Sequence, residues 1–177
     1  LIWGPIVVGL FAYGVAVPEV PLVAAATQAV LGVIFWTFSE YWLHRTVFHW
    51  EPDHAFGRRF HFILHGCHHT WIDDPYRLVM PPAAGMIIAS LFWAAFTGVA
   101  TVLEPMGIAD TWRWAFFGGF LAGYINYDLT HYATHHVKLT NNRLKRIRRH
   151  HMTHHFKEPD RKFGFTTFFW DRLFGTL

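Results

Sequence analysis

The sequence predicts an all-α membrane chain, with four transmembrane helices and its histidine clusters gathered in one cytosolic layer. Three observations predict it. Of the 177 residues 53% are hydrophobic, 19% aromatic and 15% charged, which is too apolar for an ordinary soluble domain of this size. Four long stretches carry no charge. Every histidine cluster falls, by charge placement, on one side. A single domain over residues 1–177 is the expected organisation, and the lone Cys67 rules out an intrachain disulfide framework.

Taken in order, the first uncharged stretch covers residues 1–18 and ends before Glu19. The chain opens at Leu1 and not at an initiator Met, so a targeting signal upstream stays open. The second stretch runs over 21–39 up to Glu40, and the third over 78–103 between Arg77 and Glu104. Crossing the hydrocarbon core takes roughly 20 mainly apolar residues, so these two qualify outright. The fourth, 114–127 between Arg113 and Asp128, is short but can continue through Asp128 and His131 into the interface. Trp3, Trp36, Trp42 and Trp93 fit span or interface positions.

Fourteen of the fifteen Lys and Arg residues lie within 45–77 or after 137, whereas the connections 18–21 and 104–113 carry acids and Arg113 alone. The positive-inside rule then puts the N-terminus, the long middle connection and the C-terminal tail on the cytosolic side. Arg143, Lys145, Arg146, Arg148 and Arg149 crowd one segment of that tail. Such a run suits anionic headgroups, an acidic electron-donor protein or simple solvation. The apolar composition argues against nucleic acid.

Fourteen histidines are present, most in four clusters: His44-x4-His49, His65-x2-His68-His69, His131-x3-His135-His136 and His150-His151-x2-His154-His155. Imidazole is the commonest metal-ligand side chain, and spacings of three or four residues bring two rings to one helical face. His131 and His135 are one turn apart. His65 with His68 and His69, and His151 with His154 and His155, follow the i, i+3, i+4 pattern. His44 and His49, five apart, sit poorly on a straight helix and predict a bend between them. His136 and His150 face away from the best triplets, so supporting or surface roles are expected for them. His54 and His61, near Pro52 and Gly57, read as polar loop residues. Cys67 reads as a small buried residue inside a histidine cluster. Ten candidate metal ligands remain: His44, His49, His65, His68, His69, His131, His135, His151, His154 and His155. Ten exceed the needs of one ion and predict two. Closed zinc sites usually take four ligands and often cysteine, which makes structural zinc the poorer match. Glu40 and Asp128 precede His44 and His131 by one turn and are expected to accept a ring N–H from a ligand.

Several stretches resemble the fatty acid hydroxylase superfamily of membrane di-metal oxygenases, and the fatty acid 2-hydroxylases within it. They are Glu40-Tyr-Trp-Leu-His-Arg-Thr-Val-Phe-His49, Leu64-His-Gly-Cys-His-His69, Pro75-Tyr-Arg-Leu-Val-Met-Pro-Pro82, Tyr127-Asp-Leu-Thr-His131 and Gly164-Phe-Thr-Thr-Phe-Phe-Trp-Asp-Arg-Leu-Phe-Gly175. The resemblance implies four transmembrane helices under a cytosolic helical cap, a di-iron site on the ten histidines, with zinc able to replace iron in isolated protein, and dioxygen as co-substrate. Tyr127 and Asp128 are its candidate catalytic residues. The implied substrate is a long-chain fatty acid, an acyl-CoA or the N-acyl chain of a sphingolipid, hydroxylated at C2. The implied location is the bacterial inner membrane or the endoplasmic reticulum. Many eukaryotic members carry a haem-binding electron-donor domain; nothing in these residues provides one, so a separate donor protein, or a domain upstream of Leu1, is expected. Related lipid desaturases, sterol oxidases and carotenoid hydroxylases are the nearest alternatives. A non-enzymatic metal-binding or transport protein is a more distant one, disfavoured because every cluster lies on one side.

Overall fold

The computed structural model describes residues 2–16 and 20–177; the acid expected to mark the first connection, Glu19, lies outside the described residues. All regular structure among the described residues is helical. The order is α1 (Trp3–Ala16), α2 (Leu22–Trp42), a π-helical turn (Leu43–Phe48), α3 (Ala55–His61), a second π turn (Phe62–Gly66), α4 (Cys67–Thr70), α5 (Pro82–Leu103), a 3-10 turn (Glu104–Met106), α6 (Trp112–His136), α7 (Asn142–Phe156) and α8 (Phe169–Leu173). The chain divides into two compact units, one of residues 1–36 and 81–125, the other of 37–80 and 126–177.

The first unit is an apolar helical assembly. Two helices, Leu22–Phe48 and Pro82–Met106, are long and apolar enough to cross a membrane, and their most apolar windows are only 22% and 11% buried. The core helix of a soluble protein would be mostly buried, so apolar residues facing outward, such as Val23, Ile87, Leu91 and Val102, suit a lipid surround. Helix α1, at 14 residues, spans about 21 Å, short of the roughly 30 Å hydrocarbon core. Small residues set the closest approach: a Cβ on Gly32 would lie 1.9 Å from the Phe116 carbonyl oxygen, and one on Gly119 the same distance from that of Ala29. Backbone thus packs on backbone, the way helices associate where water gives no hydrophobic drive. An aromatic cluster closes the core, with Trp36 5.1 Å from Phe120 and 5.3 Å from Tyr124, ring centre to ring centre.

The second unit carries every histidine. The connection expected after His44 is largely helical, and its special feature is the pair of π turns. In the first, the His49 amide donates to the His44 carbonyl at 3.2 Å, an i to i+5 bond. This wider turn, and not a bend, brings His44 and His49 to one face; such π bulges recur at functional sites. Helix α7 starts where Asn141 Oδ1 accepts from the amides of Arg143 and Leu144 at 2.8 and 3.2 Å. Its Ile147, His151 and His154 are buried while the Arg and Lys residues named above stay exposed.

Candidate metal centre

The ten candidate ligands converge as two groups of five, all in the second unit. His44, His49, His65, His69 and His154 form the first; His68, His131, His135, His151 and His155 form the second. Within each group the five ligand atoms lie within 4.8 Å of one another. Both triplets read from the sequence are divided. His65 and His69 serve the first group and His68 the second, while His151 and His155 serve the second and His154 the first. The groups are thus interleaved, and His69 meets His155 at a ring separation of 4.1 Å.

Nitrogen geometry tests whether these rings suit a metal. In the first group, His44 Nε2 lies 3.1 Å from His65 Nε2 and 3.3 Å from His49 Nε2; His49 and His154 approach to 3.1 Å and His65 and His69 to 3.0 Å. In the second, His151 Nε2 sits 2.8 Å from His131, 2.9 Å from His135 and 2.9 Å from His155. One nitrogen carries at most one proton and cannot satisfy three such contacts as hydrogen bonds. His44 Nδ1 donates to the Phe163 carbonyl and His154 Nδ1 to the Arg161 carbonyl, each at 2.7 Å. Their Nε2 atoms, neutral, therefore present bare lone pairs. Two nitrogens each about 2.1 Å from one ion at right angles stand about 3.0 Å apart, which matches these separations. Both ring nitrogens of His68 are buried without a hydrogen-bond partner among the described residues. A cation among converging lone pairs resolves each of these costs, and the residues fit one metal ion per group.

Electrostatics favours the neutral, ligating form. Burial holds the imidazoles of His49 and His68 down to about 3 and that of His69 to about 2, with neighbouring rings adding to the effect. The same causes depress His65, His151 and His155.

A strap of non-helical chain covers both groups. The buried Phe163 ring lies 5.7 Å from His44 and His154 and 5.6 Å from His49, and the buried Phe165 ring lies 5.0 Å from His131 and 4.9 Å from His151. Tyr127 stands 5.4 Å from both His131 and Phe165.

Glu40 is buried, and its carboxylate accepts from the amides of Phe165 and Thr166 and from the Thr166 hydroxyl. Its link to a ligand thus runs through the strap to His44. The half-buried Asp128 carboxylate makes no hydrogen bond to the ring of His131 among the described residues, so the expected bond is not present. Cys67 joins neither group. His54 caps α3 by accepting from the Gly57 amide at 3.1 Å. His61 is no loop residue: it ends α3, half-buried, and donates from Nδ1 to the Phe48 carbonyl at 2.7 Å. His150 lies 3.3 Å from the carboxylate of Asp171 and stacks on Phe168, and His136 packs on Tyr132. Asp171, fully buried in α8, has no counterpart in the sequence reading; an acid alone in the aromatic run 168–174 was the available signal.

The fatty acid hydroxylase family profile matches residues 29–176. A dihydroceramide fatty acyl 2-hydroxylase of Arabidopsis thaliana is 40% identical over the whole chain, which spans 71% of that protein. A ceramide very long chain fatty acid hydroxylase of Schizosaccharomyces pombe is 41% identical over 99% of the chain, which spans 49% of that protein. The solved structure of full-length scs7p, with only its hydroxylase domain visible, superposes with a TM-score of 0.88 at 35% identity. That likeness covers 99% of this chain and 63% of that one. With its histidines gathered as described, the chain belongs to the fatty acid hydroxylase family.

Proposed function

We propose that this chain is a membrane di-iron monooxygenase that hydroxylates C2 of a long acyl chain, as a free fatty acid or as the N-acyl chain of a sphingolipid. The observation that carries it is the pair of five-imidazole groups with facing Nε2 atoms. The carbon position and lipid class are drawn from the names of its relatives. The balance is one C–H bond, one dioxygen, two electrons and two protons in, one C–OH bond and one water out. The electrons come from a separate donor protein or domain. Two ions, when bound, supply dioxygen reduction and the power to remove an unactivated hydrogen.

The chain's own residues do the rest. All ten histidines serve as ligands, five per ion. Phe163 and Phe165 keep water from the nitrogens, which strengthens every electrostatic interaction beneath them. To Tyr127 and Asp128 we assign substrate positioning and proton handling, since Tyr127 packs on His131 and Asp128 precedes it by one turn. The chain acts as one catalytic domain over 1–177, with four spans and its histidines on the cytosolic side, a topology supported by the distribution of Lys and Arg.

The test is expression in a cell lacking its own 2-hydroxylase, followed by mass spectrometry of acyl lipids. The parent chain should yield 2-hydroxy acyl lipid, His135→Ala none, and His54→Ala most of the parent yield, with all three checked for folded, membrane-inserted protein. An unsaturated product would move the assignment to desaturation. Near-normal yield from His135→Ala would remove that ring from the ligand set.

A further inference from the structure

Residues 161–166 have no helix or strand to hold them, yet two ring nitrogens depend on their carbonyls. His44 Nδ1 donates to Phe163 and His154 Nδ1 to Arg161. Both rings belong to the first group, and among the described residues the second group makes no such bond to this segment. An irregular segment laid over buried rings must still satisfy its own amides. Here four consecutive amides are received by two carboxylates. Asp171 Oδ1 takes Phe163 N–H at 2.9 Å and Oδ2 takes Gly164 N–H at 2.8 Å. Glu40 Oε1 takes Phe165 N–H at 2.7 Å and Thr166 N–H at 2.8 Å, and Oε2 takes the Thr166 hydroxyl at 2.6 Å.

Both acids are held in turn. Asp171 is 0% exposed and Glu40 4%. The Thr176 hydroxyl donates to Asp171 Oδ1 at 2.8 Å and accepts from the Tyr41 hydroxyl at 3.0 Å, which ties the two acids through adjacent residues of α2. Gly164 is required by the grip, because a Cβ there would lie 2.6 Å from Asp171 Oδ2 and 2.5 Å from the Thr167 carbonyl. Buried carboxylates are costly unless hydrogen bonds compensate them, and oriented amides do so here.

We propose that Asp171 and Glu40 are positioning residues that fix the segment 161–166, so that its carbonyls set the tautomer and aim of His44 and His154 and thereby the metal affinity of the first group. This rests on the reading that the first group binds a metal ion. Groups that orient a ligand from behind typically change affinity by about 10–100-fold when altered.

The substitutions separate by chemistry. In Asp171→Asn one acceptor becomes an NH2, which cannot receive a backbone N–H, so either Phe163 or Gly164 loses its partner. Glu40→Gln keeps one oxygen for both the Phe165 and Thr166 amides, and the Thr166 hydroxyl can turn to accept from the new NH2. Glu40→Ala removes everything. Detergent-purified protein is loaded with zinc alone and challenged with a graded chelator. The parent should hold two zinc ions. Asp171→Asn and Glu40→Ala should release one of them at roughly 10–100-fold weaker challenge, with anomalous scattering placing the retained ion in the second group, and Glu40→Gln should follow the parent. Release of both ions together, or retention equal to the parent by Asp171→Asn, overturns the proposal. A parent that never holds zinc in the first group overturns the metal reading instead. If the variants do not fold, hydrogen exchange on the metal-free parent decides. Amides 163–166 should stay protected without metal, and exchange at open-loop rates would mean that the acids do not fix the strap.

Discussion

A neutral imidazole offers one bare nitrogen, and a hydrogen bond at the other nitrogen decides which. His44 and His154 show it directly, since a carbonyl behind each ring keeps the proton on Nδ1. The ten rings that gather into the two groups were legible from residue type and spacing, because a histidine announces itself in a sequence. The carbonyls behind them were not, because any residue has one, and so the strap and Asp171 escaped. Glycines show the same limit. Gly32, Gly98 and Gly119 look alike in an apolar sequence, yet a Cβ on Gly119 would strike the Ala29 carbonyl oxygen and one on Gly98 meets nothing within 4 Å. Gly119→Ala is therefore expected to force the helix pair apart and sharply lower the melting temperature. Gly98→Ala should leave stability unchanged or raise it by about 0.5–1 kcal/mol through helix propensity. Thermal unfolding in one detergent checks both, and equal losses would contradict the packing described.

At the level of elements, the sequence predicted helices well and the allotment of their rings poorly. The second and third uncharged stretches fall in the two helices that, among the described residues, are long and apolar enough for a membrane. The triplets misled because successive residues on a helix point about 100° apart, so His68 and His69 cannot aim at one point. The i, i+4 pairs share a group, and the member at i+3 reaches into the other. That division needs two facing helices and is invisible in either alone. The π turn at 43–48 was foreshadowed only by an awkward five-residue spacing. Helix α7 gives the prediction at this scale, since it bears three of the ten rings. Asn141→Ala should cost about 1 kcal/mol, and Asn141→Asp, which keeps the accepting oxygen, should recover most of it. Denaturant titration would read this, and identical loss by both variants would show that the cap is not the cause.

For the whole molecule, acidity is the lever. His49 and His68 titrate near 3 and His69 near 2 when folded, against about 6.5 in an unfolded chain. Above pH 6.5 neither state is protonated at these rings, so they leave stability independent of pH. Below it the unfolded chain takes up protons that the folded one refuses, and stability falls with pH until the folded values are reached near 3. Zinc-free protein should thus melt progressively lower from pH 7 to pH 5, and zinc-loaded protein should release its ions over the same window as protons compete for the rings. A melting temperature flat across that window would refute the burial assigned to them. The interleaving of the two groups also bears on how the molecule is made. The first group draws on residues from 44 to 154, so its fifth ring is synthesised 85 positions after its fourth, His69. At roughly 5–20 residues per second that interval lasts about 4–17 s. Throughout it the four early rings of the first group lack their fifth, and His68 has no partner of its own group until His131 is made. A stray ion caught by His65, His68 and His69 together would hold donors that the finished protein must separate, so metal insertion is best delayed until α7 has emerged.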